Sequence, residues 1–219
     1  MNIVANNLKH IKEEIEAQAK EWQSPTPKLV AVSKRQELER VIAALEAGYK
    51  IFGENLVQEA QRKWPELKTK YQDIKLHLIG HLQRNKVKDA LSLFEVIETI
   101  DSERLANEIK KHWSPESVTK EFLIQINIGE EDQKSGILPK DAANFIKYFR
   151  DELKLPLKGL MCIPPANENP SPYFAFMHKI AKENNLNYIS QGMSGDYLEA
   201  IQVGTNQLRI GTAIFGNRD

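Results

Sequence analysis

Leu208-Arg209-Ile210-Gly211-Thr212-Ala213-Ile214-Phe215 is the stretch that decides the fold. It is a short apolar run of the kind that forms a buried parallel strand, and it is the eighth such run in the chain. The others lie at 29–34, 49–54, 76–80, 94–100, 122–128, 157–163 and 186–190. Between them the apolar period lengthens from near-continuous to helical. Leu38, Val41, Ile42 and Leu45 fall at i, i+3, i+4, i+7, and Gly48 sits where that helix would stop. Val57, Ala60 and Trp64 mark the next helix, and a short one falls near 84–91. Leu105, Ile109 and Trp113 mark another, and Pro139 opens one carrying Ala142, Phe145, Ile146 and Phe149. Ser171-Pro172 reads as an N-cap and first turn before Phe174, Met177 and Ile180, and Asp196 can cap a short helix through Ile201. Val4, Leu8, Ile11 and Ile15 give one extra helix at the start, ended by Pro25 and Pro27.

Eight strand–helix units preceded by a helix predict an α/β fold, a (β/α)8 TIM barrel with an extra N-terminal helix, spanning residues 1–219 as one domain. An open doubly wound sheet uses the same alternation. The eighth strand favours closure, and there is no linker or low-complexity tract.

Composition narrows the function. The chain has 219 residues, 30 Lys plus Arg against 30 Asp plus Glu, and 41% hydrophobic content. A net charge of zero argues against duplex nucleic acid as a partner, because that affinity comes from uncompensated cations. The lone cysteine, Cys162, cannot form a disulfide within the chain, which fits a reducing compartment. The first residues have no apolar signal core, and no apolar run approaches the roughly 20 residues of a membrane helix. The expectation is a soluble, cytoplasmic protein with no membrane partner.

In such a barrel the chemistry sits at the C-terminal ends of the strands. Lys34 closes the first. A lysine there can snorkel to the surface or serve as a Schiff-base amine. A free lysine is almost wholly protonated at neutral pH, so the second role needs burial and nearby cations. Gly192-Met193-Ser194-Gly195-Asp196 is a glycine-bracketed turn feeding a helix, and Gly211-Thr212 adds an amide and a hydroxyl from the last strand. Loops after the seventh and eighth strands frequently hold phosphate in this fold. Arg209 shares a strand face with Gly211 and supplies either a fixed cation beside a ligand or an outward salt bridge. Asn55, His77 and His81 are weaker candidates, and Cys162 reads as core packing. No carboxylate pair has glycosidase spacing, and no metal-ligand spacing, Walker loop or GxGxxG loop is present.

These residues lie in longer stretches that resemble the YggS-type pyridoxal phosphate homeostasis proteins: LVAVSK at 29–34, FGENLVQEA at 52–60, HLIGHLQRNK at 77–86, INIGEEDQKSG at 126–136, GLMCIPP at 159–165, GMSGDYLEAI at 192–201 and LRIGTAIFG at 208–216. The resemblance implies a monomeric barrel like the N-terminal domain of alanine racemase. It implies that Lys34 holds pyridoxal 5′-phosphate (PLP) as an aldimine. Ser194, Gly211 and Thr212 would cradle the phosphate, Arg209 would face the pyridine nitrogen, and Asn55 would line the cofactor. The small departures, Arg35-Gln36 and Gln191, fall where little contact with PLP is expected. The arginine should disfavour a protonated ring nitrogen and blunt the electron sink. The resemblance to racemases also stops before a β-rich C-terminal domain, so the expectation is a carrier, with apo PLP-dependent enzymes as partners, rather than an enzyme. The rivals are a racemase-like PLP enzyme, a phosphate-sugar barrel with Lys34 as an aldolase-type lysine, and an interaction protein with a vestigial pocket. Lys134, in a polar Gly-flanked loop, is a further candidate amine for a secondary PLP site.

Overall fold

The computed structural model describes residues 2–216; Met1 and residues 217–219, the ends of the expected 1–219 unit, lie outside them. Eight parallel strands close into a barrel in chain order. They are β1 (Lys28–Val32), β2 (Ile51–Glu54), β3 (Lys75–Leu78), β4 (Val96–Ile100), β5 (Glu121–Ile126), β6 (Leu157–Cys162), β7 (Ile189–Ser190) and β8 (Gln207–Ile210). β8 closes on β1, with Lys28 opposite Gln207 and Ala31 opposite Ile210. The helices are α1 (Ile3–Glu21), α2 (Leu38–Glu46), α3 (Val57–Lys70), α4 (Val87–Leu93), α5 (Glu103–His112), α6 (Ala142–Lys147), α7 (Ser171–Glu183), α8 (Tyr197–Gln202) and α9 (Thr212–Phe215). The (β/α)8 barrel with an extra leading helix expected from the sequence is the architecture observed.

Strand side chains alternate between two cores. Outward-facing Ala31, Phe52, Leu76, Leu78, Ile97, Phe122, Ile124, Leu160 and Ile210 pack beneath the helices. Trp64 of α3 packs against Phe52 in a tilted arrangement with centroids 4.9 Å apart. Inside the barrel, Val96, Leu123 and Met161 form a small separate cluster. The interior beside that cluster is polar, which bears on the site.

Several sequence expectations shift. The run 208–215 is not one strand. β8 stops at Ile210, and Thr212–Phe215 forms a helical turn whose Ile214 and Phe215 bury into the outer core. Asn7 and Arg40 hold it, donating to Ile214 O at 3.0 Å and Phe215 O at 2.9 Å. A short apolar run has no period that separates strand from helix. The seventh strand shrinks from 186–190 to two residues, because Leu186 N–H closes the end of α7 on Ala181 O at 2.9 Å. The N-cap of α7 is Pro170 rather than Ser171; Ser171 is the first helical residue, and its N–H donates to Asn169 Oδ1 at 3.1 Å. Asp196 does precede α8, but its carboxylate turns back to accept Met193 N–H at 2.5 Å. Gly48 ends α2 as expected, at φ +83°, with Tyr49 N–H reaching Ala44 O at 3.0 Å.

Candidate functional site

Lys34 stands half-buried in a turn just above β1, and the backbone on both sides of it is fixed. Ser33 N–H donates to Gly53 O at 3.0 Å, and the Ser33 hydroxyl donates to Glu54 Oε1 at 2.7 Å. Lys63 Nζ, from α3, donates to Ser33 O at 2.8 Å, Glu54 Oε1 at 3.0 Å and Glu59 Oε1 at 3.1 Å. Arg35, in the left-handed region at φ +54°, gives its N–H to Glu59 Oε1 at 2.6 Å. Non-glycine residues adopt that conformation only where the surroundings impose it. Burial pushes the Glu54 carboxyl above the usual range, against the opposing pull of Lys63, Ser33 and Trp64. Lys34 is thus presented at the mouth by a rigid turn.

Beneath the mouth lies a buried polar chain. Arg209 points into the barrel from β8. It donates through Nη1 to Ser190 Oγ at 2.6 Å and through Nη2 to Cys162 O at 2.9 Å. Ser190 Oγ donates to Glu98 Oε2 at 2.7 Å and also accepts from Gln207 Nε2 at 2.9 Å. One hydroxyl has one proton and two lone pairs, so Ser190 is fully used. Glu98 Oε1 meets His77 Nδ1 at 2.6 Å and Gln207 Nε2 at 2.7 Å. Burial alone would raise the Glu98 carboxyl; His77, Arg209 and Ser190 together hold it below the ordinary carboxylate range. Arg209 is therefore a buried cation in a fixed position, not an outward salt bridge.

On one side of Lys34, after β7 and β8, lies the glycine turn. Gly192 sits at φ +92°, and a Cβ there would come 2.6 Å from both Ala200 Cβ and Leu208 Cδ2, so only glycine fits. Its carbonyl accepts Arg209 N–H at 2.9 Å. Ser194 Oγ accepts Gly211 N–H at 3.4 Å, bringing Ser194, Gly211 and the exposed Thr212 to one spot. The first N–H groups of a helical turn have no partner within it. Together with two hydroxyls they suit an anion.

On the other side, after β2 and β3, a cavity of about 890 Å³ opens, lined by Lys34, Asn55, Gly80 and His81 among others. Ser194, Arg209, Gly211 and Thr212 do not line it. Since β1 stands between β8 and β2, Lys34 lies between the anion-suited loops and this cavity. Gly80 lets the second loop close: a Cβ there would fall 2.3 Å from Asn55 O.

His77 is a structural partner of Glu98. His81 is exposed, with Nδ1 2.9 Å from Asp101 Oδ2. Cys162 faces the helix layer, and burial pushes its thiol up to about 12, which suits packing and not nucleophilic attack. Lys134 pairs with Glu131 and donates to Pro164 O at 3.2 Å, away from Lys34. Sequence reasoning missed Glu98 and Ser190, and the Glu54–Lys63–Glu59 brace. A glutamate in the middle of a buried strand was the available signal, because a buried charge requires partners. Among the described residues no group of three or more His, Cys, Asp or Glu could hold a metal ion, and no helix is long and apolar enough to cross a membrane.

An amine at the mouth, an anion-suited loop to one side and a fixed cation beneath are the chemical features that would suit a carbonyl compound bearing an anionic group. The family profile described as "Alanine racemase, N-terminal domain" matches residues 6–219, and the chain belongs to that family. It is 33% identical over 231 residues to the "Pyridoxal phosphate homeostasis protein" of Haemophilus influenzae, covering 100% of this chain and 97% of that one. PipY of Synechococcus elongatus, solved without PLP, superposes with a TM-score of 0.84 at 30% identity, covering 97% of this chain and 100% of that chain. The same protein with PLP bound gives 0.79 at 28% identity over the same shares of the two chains. Alanine racemase from Corynebacterium glutamicum shares the fold at a TM-score of 0.76 and 14% identity, with 98% of this chain matching 61% of that one.

Proposed function

We propose that this protein binds pyridoxal 5′-phosphate covalently at Lys34 and serves intracellular PLP homeostasis, holding the cofactor in reserve rather than turning over a substrate. The observation that carries this reading is the convergence of three features on one mouth: the braced Lys34 turn, the Ser194–Gly211 contact beside Thr212, and the buried Arg209. The relatives' names and the PLP-bound neighbour support it.

Each residue has a role in this reading. Lys34 Nζ joins the cofactor's aldehyde carbon with loss of water. Ser194, Thr212 and the Gly211 backbone take the phosphate, and Asn55 lines the ring. PLP, when bound, supplies an electron sink whose strength depends on a protonated ring nitrogen. Arg209 can only donate a hydrogen bond to that nitrogen, so it holds the nitrogen unprotonated and the sink weak. The protein acts as a monomer in the cytoplasm, as one unit over residues 1–219, and passes PLP to amines or to apo PLP-dependent enzymes.

The test has two arms. Wild-type protein should retain PLP through gel filtration, and Lys34→Ala should not. The loaded protein should exchange the α-proton of amino acids into deuterium oxide no faster than free PLP does. Faster exchange would instead support the racemase-like reading.

A further inference from the structure

We propose that the cavity beside Lys34 is a second subsite, one that binds small amines carrying anionic groups and brings their nitrogen to Lys34. This rests on the PLP reading, because Lys34 is where the incoming amine would act. Of the proposed cofactor residues only Lys34 and Asn55 reach the cavity wall: the phosphate loops follow β7 and β8, whereas the cavity is built by the loops after β1, β2 and β3.

The charge of the cavity wall names the ligand class. Lys34, Arg35, Arg62 and Lys86 line it, and Glu59 is the one acid among the lining residues. Glu59 is already committed, since its Oε1 accepts from Lys63 at 3.1 Å and from Arg35 N–H at 2.6 Å. Lys86 has Asp89 at 3.6 Å. Among the described residues, neither the Arg35 nor the Arg62 guanidinium has a carboxylate within ion-pair distance. In a chain with net charge zero this is a local surplus of positive charge. Guanidinium groups bind carboxylate and phosphate in a fixed two-pronged geometry. Asn55, Gln58 and Gln83 add neutral donors. A volume of about 890 Å³ falls within the range for small-molecule sites, which favours a metabolite over a protein surface.

With its anionic groups on Arg35 and Arg62, such an amine reaches Lys34 already oriented. As the incoming neutral amine forms its two bonds to the cofactor carbon, Lys34 Nζ gives up both of its own bonds to that carbon, and the two protons lost by the incoming nitrogen pass to Nζ. Water, oxidant and reductant are not required. Holding the two nitrogens together favours the exchange over the same reaction between free species. An acidic amine would thus be both the preferred ligand and the signal for release.

The experiment uses L-glutamate and O-phospho-L-serine as probes, with L-glutamine and L-serine as neutral-side-chain controls. Binding to the cofactor-free protein is measured by calorimetry, and release of PLP from the loaded protein by loss of the bound chromophore. Glutamate and phosphoserine should bind about tenfold or more tightly than their controls, and release should follow the same order. The advantage should shrink with added salt. Arg62→Gln and Arg35→Gln should each remove most of it, and Arg62→Gln should leave release by the neutral amines unchanged. Agreement of one acidic probe alone identifies the preferred anion, carboxylate or phosphate. Equal binding of acidic and neutral amines, or an advantage that survives both substitutions, overturns the proposal. Failure of the PLP reading looks different: no chromophore would depend on Lys34, whatever the calorimetry gave.

Discussion

Arg209 Nη1 donates to Ser190 Oγ at 2.6 Å, and that hydroxyl passes its own proton toward Glu98 Oε2 at 2.7 Å. The pair joins the cation beneath the mouth to the carboxylate at the barrel centre. Removing the hydroxyl leaves a guanidinium N–H, an amide N–H of Gln207 and a carboxylate oxygen short of a partner in a buried site. Ser190→Ala should therefore destabilise the cofactor-free protein by about 1–3 kcal/mol. Urea unfolding checks this; an unchanged midpoint would mean that water or another side chain fills the gap.

The two buried glutamates should give opposite pH dependences. Glu98 has its folded-state pKa lowered. Its contribution is present above the unfolded value of about 4.3 and is lost as pH falls from there through the folded value. Glu54 has its folded-state pKa raised, so its contribution is present below the unfolded value and lost as pH rises through the folded one. The stability difference between wild type and Glu98→Gln should grow as pH rises through the acid range. That between wild type and Glu54→Gln should decline as pH rises. Denaturant unfolding at a series of pH values separates the two, and slopes of the same sign would contradict the assignment.

Which residues stand at the mouth was legible in the sequence, because strand ends are readable and this fold gathers them at one face. Lys34, Asn55, Arg209 and Gly211 follow from counting strands. The partners of those residues were not legible. Glu98 and Ser190 lie 92 positions apart and meet only because β4 and β7 both face the barrel interior. The brace on the Lys34 turn depends on Lys63 of α3 reaching back across β2, which no local pattern encodes. The helical turn at Thr212–Phe215 was misread as strand because four apolar-rich residues fit either period.

Gly80 should be intolerant of even one methyl group. A Cβ there must displace the Asn55 backbone, which cannot rotate away as a side chain would. Gly80→Ala should cost about 1–3 kcal/mol of stability and weaken PLP retention, read by thermal unfolding and by equilibrium dialysis. Gly195→Ala is the control for stability alone, since nothing lies within 4 Å of its Cβ position.

The phosphate loops should set affinity without touching covalent capacity. Thr212→Val removes a hydroxyl from an exposed position and should weaken PLP retention by about tenfold, or about 1.4 kcal/mol. Borohydride should still fix the bound fraction to Lys34. Titration with PLP followed by reduction checks both; binding of pyridoxal, which lacks the phosphate, should be unaffected by the substitution.

The most direct test of the central claim is borohydride reduction of the PLP-incubated protein followed by peptide mapping. The account predicts one principal modification, on Lys34, with the bound visible absorption band absent in Lys34→Ala. Modification spread over surface lysines, or an unchanged band in Lys34→Ala, would contradict it.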